Sequence, residues 1–351
     1  MIHIDGSQGE GGGQVLRTSL ALAAATGQPV TLVGIRAGRP RPGLMRQHLT
    51  CVAAAQAICD AQVVGATPGS TTLRFEPGEL RGGKLDFAVG TAGSAMLVLQ
   101  TVWPALLLAS EPSLLRLQGG THNPMAPCFH FIDQAYAPLM RRLVGNEARA
   151  VLRLRRCGFA PAGGGEVEVE LTPAADLQPF DLLERGAPVE AWADCLAPGL
   201  RSGIATRELN VLRERLGWER EQLRVARIDA SQGPGNALLA TLRHEQVTEV
   251  FCAIGDKGRS AERVGADVAV QVGRYQLTDA ALGPHLADQW VLPLALAVWH
   301  SGRAAAFTCS EVSSHALTNF RVIERFLPVA IGHHARPAGG GWRVEVRRTG
   351  G

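Results

Sequence analysis

The sequence predicts an α/β (α+β) protein in which a βαβαββ unit of about 80 residues recurs three times. Short apolar runs typical of strands alternate with longer stretches of helical spacing, in the same order in each unit. Gly-rich sequence leads into several of the helices. Residues 184–275 interrupt the third unit with a strand and helix pattern of their own, which predicts a small inserted α/β domain. The length of 351 residues also exceeds what one core usually supports.

The first two units have the same predicted order of elements. The first comprises strand 2–4, helix 15–25, strand 30–34, helix 43–59, and strands 62–64 and 71–75. The second comprises strand 84–88, helix 94–109, strand 114–117, helix 128–143, and strands 151–155 and 166–171. In both units a Gly-rich turn precedes the first helix, and two consecutive strands close the unit.

The third unit is predicted to begin with a strand near Leu177 and to resume after the interruption. It continues with helix 287–300, strand 304–308, helix 315–326, and strands 329–331 and 342–347. The interruption comprises strand 189–193, helix 206–216, strands 223–228, 237–242 and 248–254, and helix 261–272. We therefore expect a main domain, 1–183 with 276–351, and an inserted domain, 184–275, placed where insertions are best tolerated.

The composition is typical of a soluble globular protein, with 46% hydrophobic and 19% charged residues. The first five residues lack the basic and apolar regions of a signal peptide, and no apolar stretch is long enough to span a membrane. The seven cysteines are scattered without a C-x-x-C pair, which favours reduced thiols over a disulfide framework or zinc site. These observations predict a cytoplasmic protein that does not bind membranes.

Lysine is scarce in this chain, and the net charge is only +3. Lys84 and Lys257 are the only lysines, and a genomic bias toward arginine accounts for most of the skew. Neither lysine lies in the Gly-Lys-Ser/Thr sequence of a Walker A loop. Lys84 is followed by Leu85 and Asp86, which is not the Lys-x-Asp-Gly sequence of a lysine-adenylating ligase. Lysine is therefore disfavoured as the carrier of a covalent nucleotide.

The segment 313–319 places His315 at the predicted start of a helix. Apolar residues follow at a helical spacing of three to four: Ala316, Phe320, Ile323 and Leu327. Ser313 or Ser314 is suited to cap this end. A helix N-terminus keeps an imidazole neutral and attracts phosphate, so His315 is a candidate nucleophile toward a nucleotide. The alternative is a histidine that only caps or packs.

The Gly-rich stretch 9–17 follows a predicted strand and opens a helix. Its glycines allow backbone N–H groups to approach an anion closely. Gln14 occupies the place of the last glycine in G-x-G-x-x-G, so a Rossmann site is excluded. Glu10 fits an anion site when a divalent cation bridges it to phosphate. The alternative is a tight strand–helix turn.

The loop 35–48 carries four arginines, among them Arg36 and Arg39, and Pro40 and Pro42 stiffen it. Arginine binds phosphate through two parallel hydrogen bonds, which favours an anion site over a basic surface loop. Gln100, within an apolar helix, and the run 285–289 could contact a base or a metal, but neither is specific by itself.

Together these segments resemble the RNA 3′-terminal phosphate cyclase family. The resemblance runs through nearly the whole chain, in one order: residues 5–17, 35–50, 93–100, 119–127, 158–166, 232–236, 285–289 and 315–328. It implies three βαβαββ repeats related to those of the enolpyruvate transferases. It also implies that the inserted domain is similar to the C-terminal domain of bacterial translation initiation factor three.

The resemblance implies an ATP-dependent reaction on RNA with a 3′-terminal phosphate. His315 would form a covalent histidine–AMP intermediate, AMP would pass to the RNA 3′-phosphate, and the 2′-hydroxyl would close a 2′,3′-cyclic phosphodiester. Other positions that match the family follow by role. ATP would be bound by Gln100, Pro127, His285, Leu286, Ala287, Asp288 and Gln289; phosphates of ATP or RNA by Arg17, Arg36, Arg39 and Gln47; and Mg²⁺ or Mn²⁺ by Glu10.

Two departures and two alternatives accompany the resemblance. The family often has tyrosine at the position of His285, so weaker or altered adenine stacking is expected. Separately, its bacterial members often have an acidic residue at the position of His122. One alternative is a non-catalytic cyclase-like scaffold for RNA processing, against which the presence of His315 argues. The other is an enolpyruvate transferase, which the length and the insert disfavour.

Overall fold

The computed structural model describes residues 1–9, 12–145 and 149–350, and it confirms the mixed α/β class. The strands are β1 Ile2–Asp5, β2 Val30–Val33, β3 Gln62–Val64, β4 Leu73–Glu76, β5 Gly83–Ala88, β6 Ser113–Gly119, β7 Ala150–Arg156, β8 Gly165–Leu171, β9 Pro188–Leu196, β10 Leu223–Val225, β11 Ala237–His244, β12 Thr248–Ile254, β13 Ala305–Cys309, β14 Val329–Ala335 and β15 Trp342–Arg348. The helices are α1 Gly13–Thr26, α2 Arg46–Cys59, α3 Ala95–Leu106, α4 Phe129–Phe131, α5 Ala137–Val144, α6 Ser202–Leu216, α7 Ala261–Gln276, α8 Pro284–Ser301 and α9 Ser314–Phe326. None of these helices is both long and apolar enough to cross a lipid bilayer.

The first two sheets have the same strand order. They run β1-β2-β4-β3 and β5-β6-β8-β7. In each, the first two strands are parallel and joined through a helix, whereas the remaining pairs are antiparallel. A parallel pair requires a crossover connection, which α1 and α3 supply, and this explains why a helix follows each first strand.

The third sheet, β13-β15-β14, lacks the strand expected near Leu177. Leu177 is buried but not in a strand, and Leu182 forms a single parallel bridge to Phe307. At Leu182 the backbone N–H donates to Ala306 O and the carbonyl accepts from Thr308 N. Pro179 cannot donate to a ladder, so pairing in this segment is confined to the residues after it.

The single helix expected over 128–143 is divided. The short α4 leads into a π-helical turn, Ile132–Tyr136, before α5 begins. Pro138 at the start of α5 has no N–H to continue the regular pattern, and Ala137 N donates to the carbonyl of Ile132 instead. The wider turn therefore accommodates a proline within a continuous helical path.

Helix packing determines where the loops meet. α1 packs against α2, α3 and α9, while α8 packs against α3 and α9. Buried apolar residues of these helices and of the three sheets form one large hydrophobic cluster. The N-terminal ends of α1, α3, α8 and α9 carry the residues singled out in the sequence, and this packing brings the helices that bear them into contact.

The inserted segment, residues 184–275, contains a sheet of order β10-β9-β11-β12, on which α6 and α7 pack. Its interior is a second hydrophobic cluster that includes Leu212, Val268 and Tyr275. Helix α7 ends at Gln276, one residue beyond the expected boundary. The segment contacts the rest of the chain at several points, including a hydrogen bond of 2.8 Å from Cys157 N to Gln232 Oε1.

Candidate active site

His315 is the second residue of α9, as the helical spacing predicted. Of the two serines before it, Ser313 is the N-cap: its Oγ accepts a hydrogen bond from Ala316 N at 3.0 Å. The cap fixes the first turn of α9, and with it the backbone that carries the half-buried imidazole. His315 therefore lies where the helix dipole is positive.

The imidazole of His315 is oriented by Gln14, the second residue of α1. His315 Nδ1 lies 3.0 Å from Gln14 Oε1. An amide oxygen only accepts, so Nδ1 carries the proton, and in the neutral ring the lone pair lies on Nε2. The two helix N-termini thus hold one tautomer of the histidine. The N-cap of α1 is Gly12, which leaves its first turn without a capping side chain.

Desolvation and nearby positive charge both favour the neutral imidazole of His315. Desolvation lowers the pKa of His315, and the charges of Arg39 and Arg17 lower it further. Protonation of His315 would add a third positive charge to this region. A neutral imidazole beside two guanidinium groups is an arrangement that favours an anionic ligand.

Arg17 lies in a crowded part of the site. A Cβ on Gly13 would lie 2.6 Å from His48 Nε2 and 2.9 Å from Arg17 Nη1, so the absence of a side chain at position 13 makes room for both groups. Burial and the charges of Arg17 and Arg36 lower the pKa of His48 to about 3. Burial also lowers the pKa of Arg17, and no carboxylate among the described residues offsets this. A half-buried cation without such a partner is suited to bind phosphate.

Arg36 differs from Arg17 because its guanidinium holds its own loop. Its Nη1 donates to Arg41 O at 2.7 Å and to Gly43 O at 2.9 Å. Arg36 itself has a positive φ of 55°. Gln47 is also engaged, since its Oε1 accepts a hydrogen bond of 2.8 Å from Ser94 N at the start of α3. Of the predicted phosphate ligands, Arg39 and Arg17 are the two whose charges lower the pKa of His315.

Asp288 of α8 links the nucleophile-bearing helix to its neighbours. Ser313 Oγ lies 2.7 and 2.9 Å from the two oxygens of the Asp288 carboxyl group. Asn319 Nδ2 donates to Asp288 O at 3.1 Å, and Asn319 Oδ1 accepts from Thr18 Oγ1 at 2.7 Å. A buried polar network therefore joins α1, α8 and α9 beneath His315.

Asp288 is expected to make the fold less stable as the pH rises. Burial raises the pKa of Asp288 to about 7, from 3.8 for an ordinary aspartate. Between these values the folded protein retains a proton that the unfolded chain releases, so stability is lost as the pH rises through this window. In Asp288→Asn, we expect the fall in unfolding free energy between pH 5 and pH 8 to be smaller by about 1–3 kcal/mol.

Urea unfolding at both pH values measures this difference. Exposed Asp86 supplies the control, Asp86→Asn, which removes the same charge from the surface. An equal pH dependence in wild type and Asp288→Asn would contradict the assignment.

The predicted adenosine-binding residues differ in burial and in the contacts that they make. Gln100 Nε2 donates to Gln289 Oε1, so these two meet between α3 and α8. Partial desolvation and the proximity of His315 lower the pKa of His285, although its side chain remains exposed. Leu286 and Ala287 are buried in the hydrophobic core, which leaves their backbone as the part suited to a ligand. Half-buried Pro127 lies directly before the N-cap of α4.

Glu10, the predicted metal ligand, lies outside the described residues. The preceding Gly9 has φ +63°, and a Cβ there would lie 2.3 Å from Thr318 Oγ1 on α9. The Gly-rich loop therefore approaches α9 one turn after His315. Among the described residues, no group of three or more His, Cys, Asp or Glu side chains could hold a metal ion.

Sequence reasoning missed two groups of this site, Gln14 beside His315 and His48 beside Arg17. Gln14 served only to exclude a Rossmann site, yet it orients the imidazole. His48 is the last residue of the loop 35–48 and was assigned no role, yet it lies beside Arg17 at Gly13. One signal was present for Gln14: it stands at the second position of a Gly-rich helix start, as His315 stands at the second position of its helix.

The sequence is similar to those of known proteins over nearly its whole length. The family model described as RNA 3′-terminal phosphate cyclase matches residues 8–332. A relative of that name from Salmonella typhimurium is 46% identical over 339 residues, 97% of this chain and 97% of the relative. Another from Pseudomonas fluorescens is 48% identical over 338 residues, 96% and 95% of the two chains. A third, from Salmonella agona, is 47% identical over 329 residues, 94% and 93%. The chain belongs to the RNA 3′-terminal phosphate cyclase family.

Proposed function

We propose that this protein uses ATP to convert the 3′-terminal phosphate of RNA into a 2′,3′-cyclic phosphodiester. One observation carries the proposal: His315 stands in the first turn of α9, is oriented through Nδ1 by Gln14, and has its pKa lowered by desolvation and by the charges of Arg39 and Arg17. The relatives named above support the reaction. They bear the name of this cyclase, and the chain matches them over nearly their whole length.

In the first step, His315 Nε2 attacks the α-phosphorus of ATP. An N–P bond forms, the bond between the α-phosphorus and the bridging oxygen breaks, and pyrophosphate leaves. The neutral imidazole supplies the electron pair, and it is available because desolvation and the two arginines lower the pKa of His315. The product is a histidine–AMP phosphoramidate.

In the second step, an oxygen of the RNA 3′-phosphate attacks the AMP phosphorus, and the N–P bond breaks to regenerate His315. In the third step, the 2′-hydroxyl attacks the terminal phosphorus and releases its proton. The bond from this phosphorus to the oxygen of AMP breaks, and AMP departs with the electron pair. Activation is needed because AMP is a far better leaving group than a phosphate oxygen.

The remaining predicted ligands are proposed to form a phosphate site and an adenosine site. Arg17 and Arg39, near His315, are proposed to stabilise the charge that develops on the transferred phosphoryl group. Arg36 and Gln47 organise the loop between β2 and α2 and the start of α3, and they complete the phosphate site. Gln100, Pro127 and the first turns of α8, from His285 to Gln289, are proposed to hold the adenosine.

A divalent cation, Mg²⁺ or Mn²⁺, is proposed to bind through Glu10 and the phosphate oxygens of ATP. A single carboxylate with substrate phosphates is how Mg²⁺ is commonly held, and the described residues offer no cage formed by protein alone. The cation would neutralise charge on the phosphates.

The architecture supports a further part of the proposal. We propose that the three sheets with their helices are repeats of one unit related to that of the enolpyruvate transferases. The shared strand order of the first two sheets supports this. We also propose that residues 1–183 with 276–351 form the catalytic domain and residues 184–275 a separate one, since the latter have their own hydrophobic cluster. ATP and RNA as substrates favour a cytoplasmic location.

A cyclisation assay tests the function. RNA with a labelled 3′-phosphate, incubated with the protein, ATP and Mg²⁺ or Mn²⁺, is expected to yield a product whose label resists phosphatase. Acid treatment should reopen the product, because a five-membered cyclic phosphodiester is labile. The same RNA with a 3′-hydroxyl is the control and should not react. RNA that binds but keeps a phosphatase-sensitive label would favour the non-catalytic scaffold instead.

A further inference from the structure

The N-terminus of α8 is held by a carboxyl group from the inserted segment. The N-cap of α8, Gly283, has no side chain, Pro284 follows it, and the first turn contains no acidic residue. Glu249 of β12 occupies this position, and its Oε1 accepts a hydrogen bond from Gly283 N at 2.5 Å. A carboxyl oxygen at this end of a helix satisfies an N–H that would otherwise be unpaired.

Glu249 is closely packed in this position. Its side chain is 1% exposed. A Cβ on Gly283 would lie 3.3 Å from the carboxyl carbon and both oxygens of Glu249, so the carboxyl group lies directly against the N-cap. Burial raises the pKa of Glu249 to about 8, while the Gly283 N–H and the charge of Arg185 oppose this rise. Burying a carboxyl group is costly, and this one contacts a helix that lies outside its own segment.

The helix that Glu249 holds carries predicted ligands of the nucleotide. His285 is two residues after Gly283, and Gln289 meets Gln100 of α3. Asp288 lies about one turn after His285, and its carboxyl group accepts a hydrogen bond from Ser313, the N-cap of α9. Hydrogen bonds and helix backbone therefore connect the inserted segment to α9, which carries His315 in its first turn.

From this arrangement we infer that Glu249 is a positioning residue of the nucleotide site. By fixing the N-terminus of α8, the inserted segment determines where His285, Asp288 and Gln289 stand. The inference rests on the proposed function, because it assumes that ATP binds along the first turns of α8. It assigns the inserted segment a role in binding ATP without any contact between that segment and the nucleotide.

The test measures ATP binding separately from the chemical step. In a His315→Ala parent, which is unable to form the histidine adduct, calorimetry gives the Kd for ATP with Mg²⁺. Adding Glu249→Ala is expected to weaken ATP binding by about tenfold, since the first turn of α8 loses its cap. Hydrogen exchange of the backbone amides of residues 285–289 is expected to become faster in the same variant.

Two further variants separate positioning from general stability. Glu249→Gln keeps an oxygen that accepts from Gly283 N, so it is expected to restore ATP affinity to within about twofold of the parent. Glu208 is equally buried, at 1% exposed, but its partner is Cys195 Sγ within the inserted segment. Glu208→Ala is therefore expected to lower the melting temperature while the Kd for ATP stays unchanged.

Each outcome has a definite consequence. If Glu249→Ala leaves the Kd unchanged, or if Glu208→Ala weakens binding equally, the inference is overturned. If exchange in α8 accelerates but ATP affinity does not change, Glu249 is only structural. Failure of the parent itself to bind ATP would instead remove the proposed function and the inference with it. ATP binding without an adduct in the His315 protein would remove only the covalent mechanism.

Discussion

Replacing His315 with alanine is expected to abolish the covalent adduct with AMP and to lower the cyclisation rate by at least about 10³-fold, as for the loss of other catalytic nucleophiles. The reason is chemical: alanine supplies no electron pair to the α-phosphorus. Incubation with ATP labelled at the α-phosphate should label the wild type, and the label should be lost in acid but retained in alkali. The phosphoramidate N–P bond has this behaviour, whereas a phosphate ester to serine does not.

Two controls make the His315 experiment specific. His334→Ala changes an exposed histidine on β14 and should leave labelling unaffected. Gln14→Ala removes the hydrogen-bond partner of His315 Nδ1 and should slow labelling without abolishing it, because the nucleophile remains. Undiminished labelling of His315→Ala, or an adduct mapped to another residue by mass spectrometry, would refute the proposed mechanism.

The sequence was sufficient to predict the parts of this site that depend on local pattern. Apolar spacing after His315 predicted α9, and the serines before it predicted a capped start, which Ser313 provides. Gly-rich turns predicted the start of α1, because glycine tolerates the backbone conformation that Gly9 adopts. Such features need only residues that are close in the chain.

Contacts between distant residues could not be predicted in the same way. Gln14 and His315 are 301 positions apart, and no periodic pattern records that their helices pack together. The carboxyl group of Glu249 lies 34 positions before Gly283, in a strand whose sequence is that of any buried strand. Asp288 was identified only through the resemblance, because an acidic residue near a helix start is ordinary. Tertiary packing alone gives these residues their partners.

The predicted arginine ligands show the same limit. Four arginines in one loop indicated an anion site, but the sequence could not distinguish those that face it from those that hold the loop. In the structure, Arg36 donates to two backbone carbonyls, whereas the charges of Arg17 and Arg39 act on His315. The distinction leads to different expectations for each substitution.

Replacing Arg17 with alanine is expected to reduce the rate of adduct formation by about 10²–10³-fold, as for removal of one donor from a charge-stabilising site. Arg17 lies on α1 beside His48 and Gly13, in a region without an offsetting carboxylate among the described residues. A single-turnover assay with saturating labelled ATP measures the effect on the chemical step. The fold of Arg17→Ala should remain intact, because the guanidinium that is lost is desolvated without an offsetting carboxylate among the described residues.

Arg36→Ala and Arg41→Ala serve as controls for the Arg17→Ala variant. Arg36→Ala removes two hydrogen bonds to the loop backbone, so it should lower the melting temperature as well as the rate. The side chain of Arg41 is exposed, and only its backbone carbonyl accepts the hydrogen bond from Arg36. Arg41→Ala should therefore leave the melting temperature and the rate nearly unchanged. Arg17→Lys retains the charge without the planar fork and should recover only part of the rate. If Arg17→Ala reacts as fast as Arg41→Ala, the positive charge beside His315 serves only to keep the imidazole neutral. Phosphate stabilisation must then come from Arg39 and the metal.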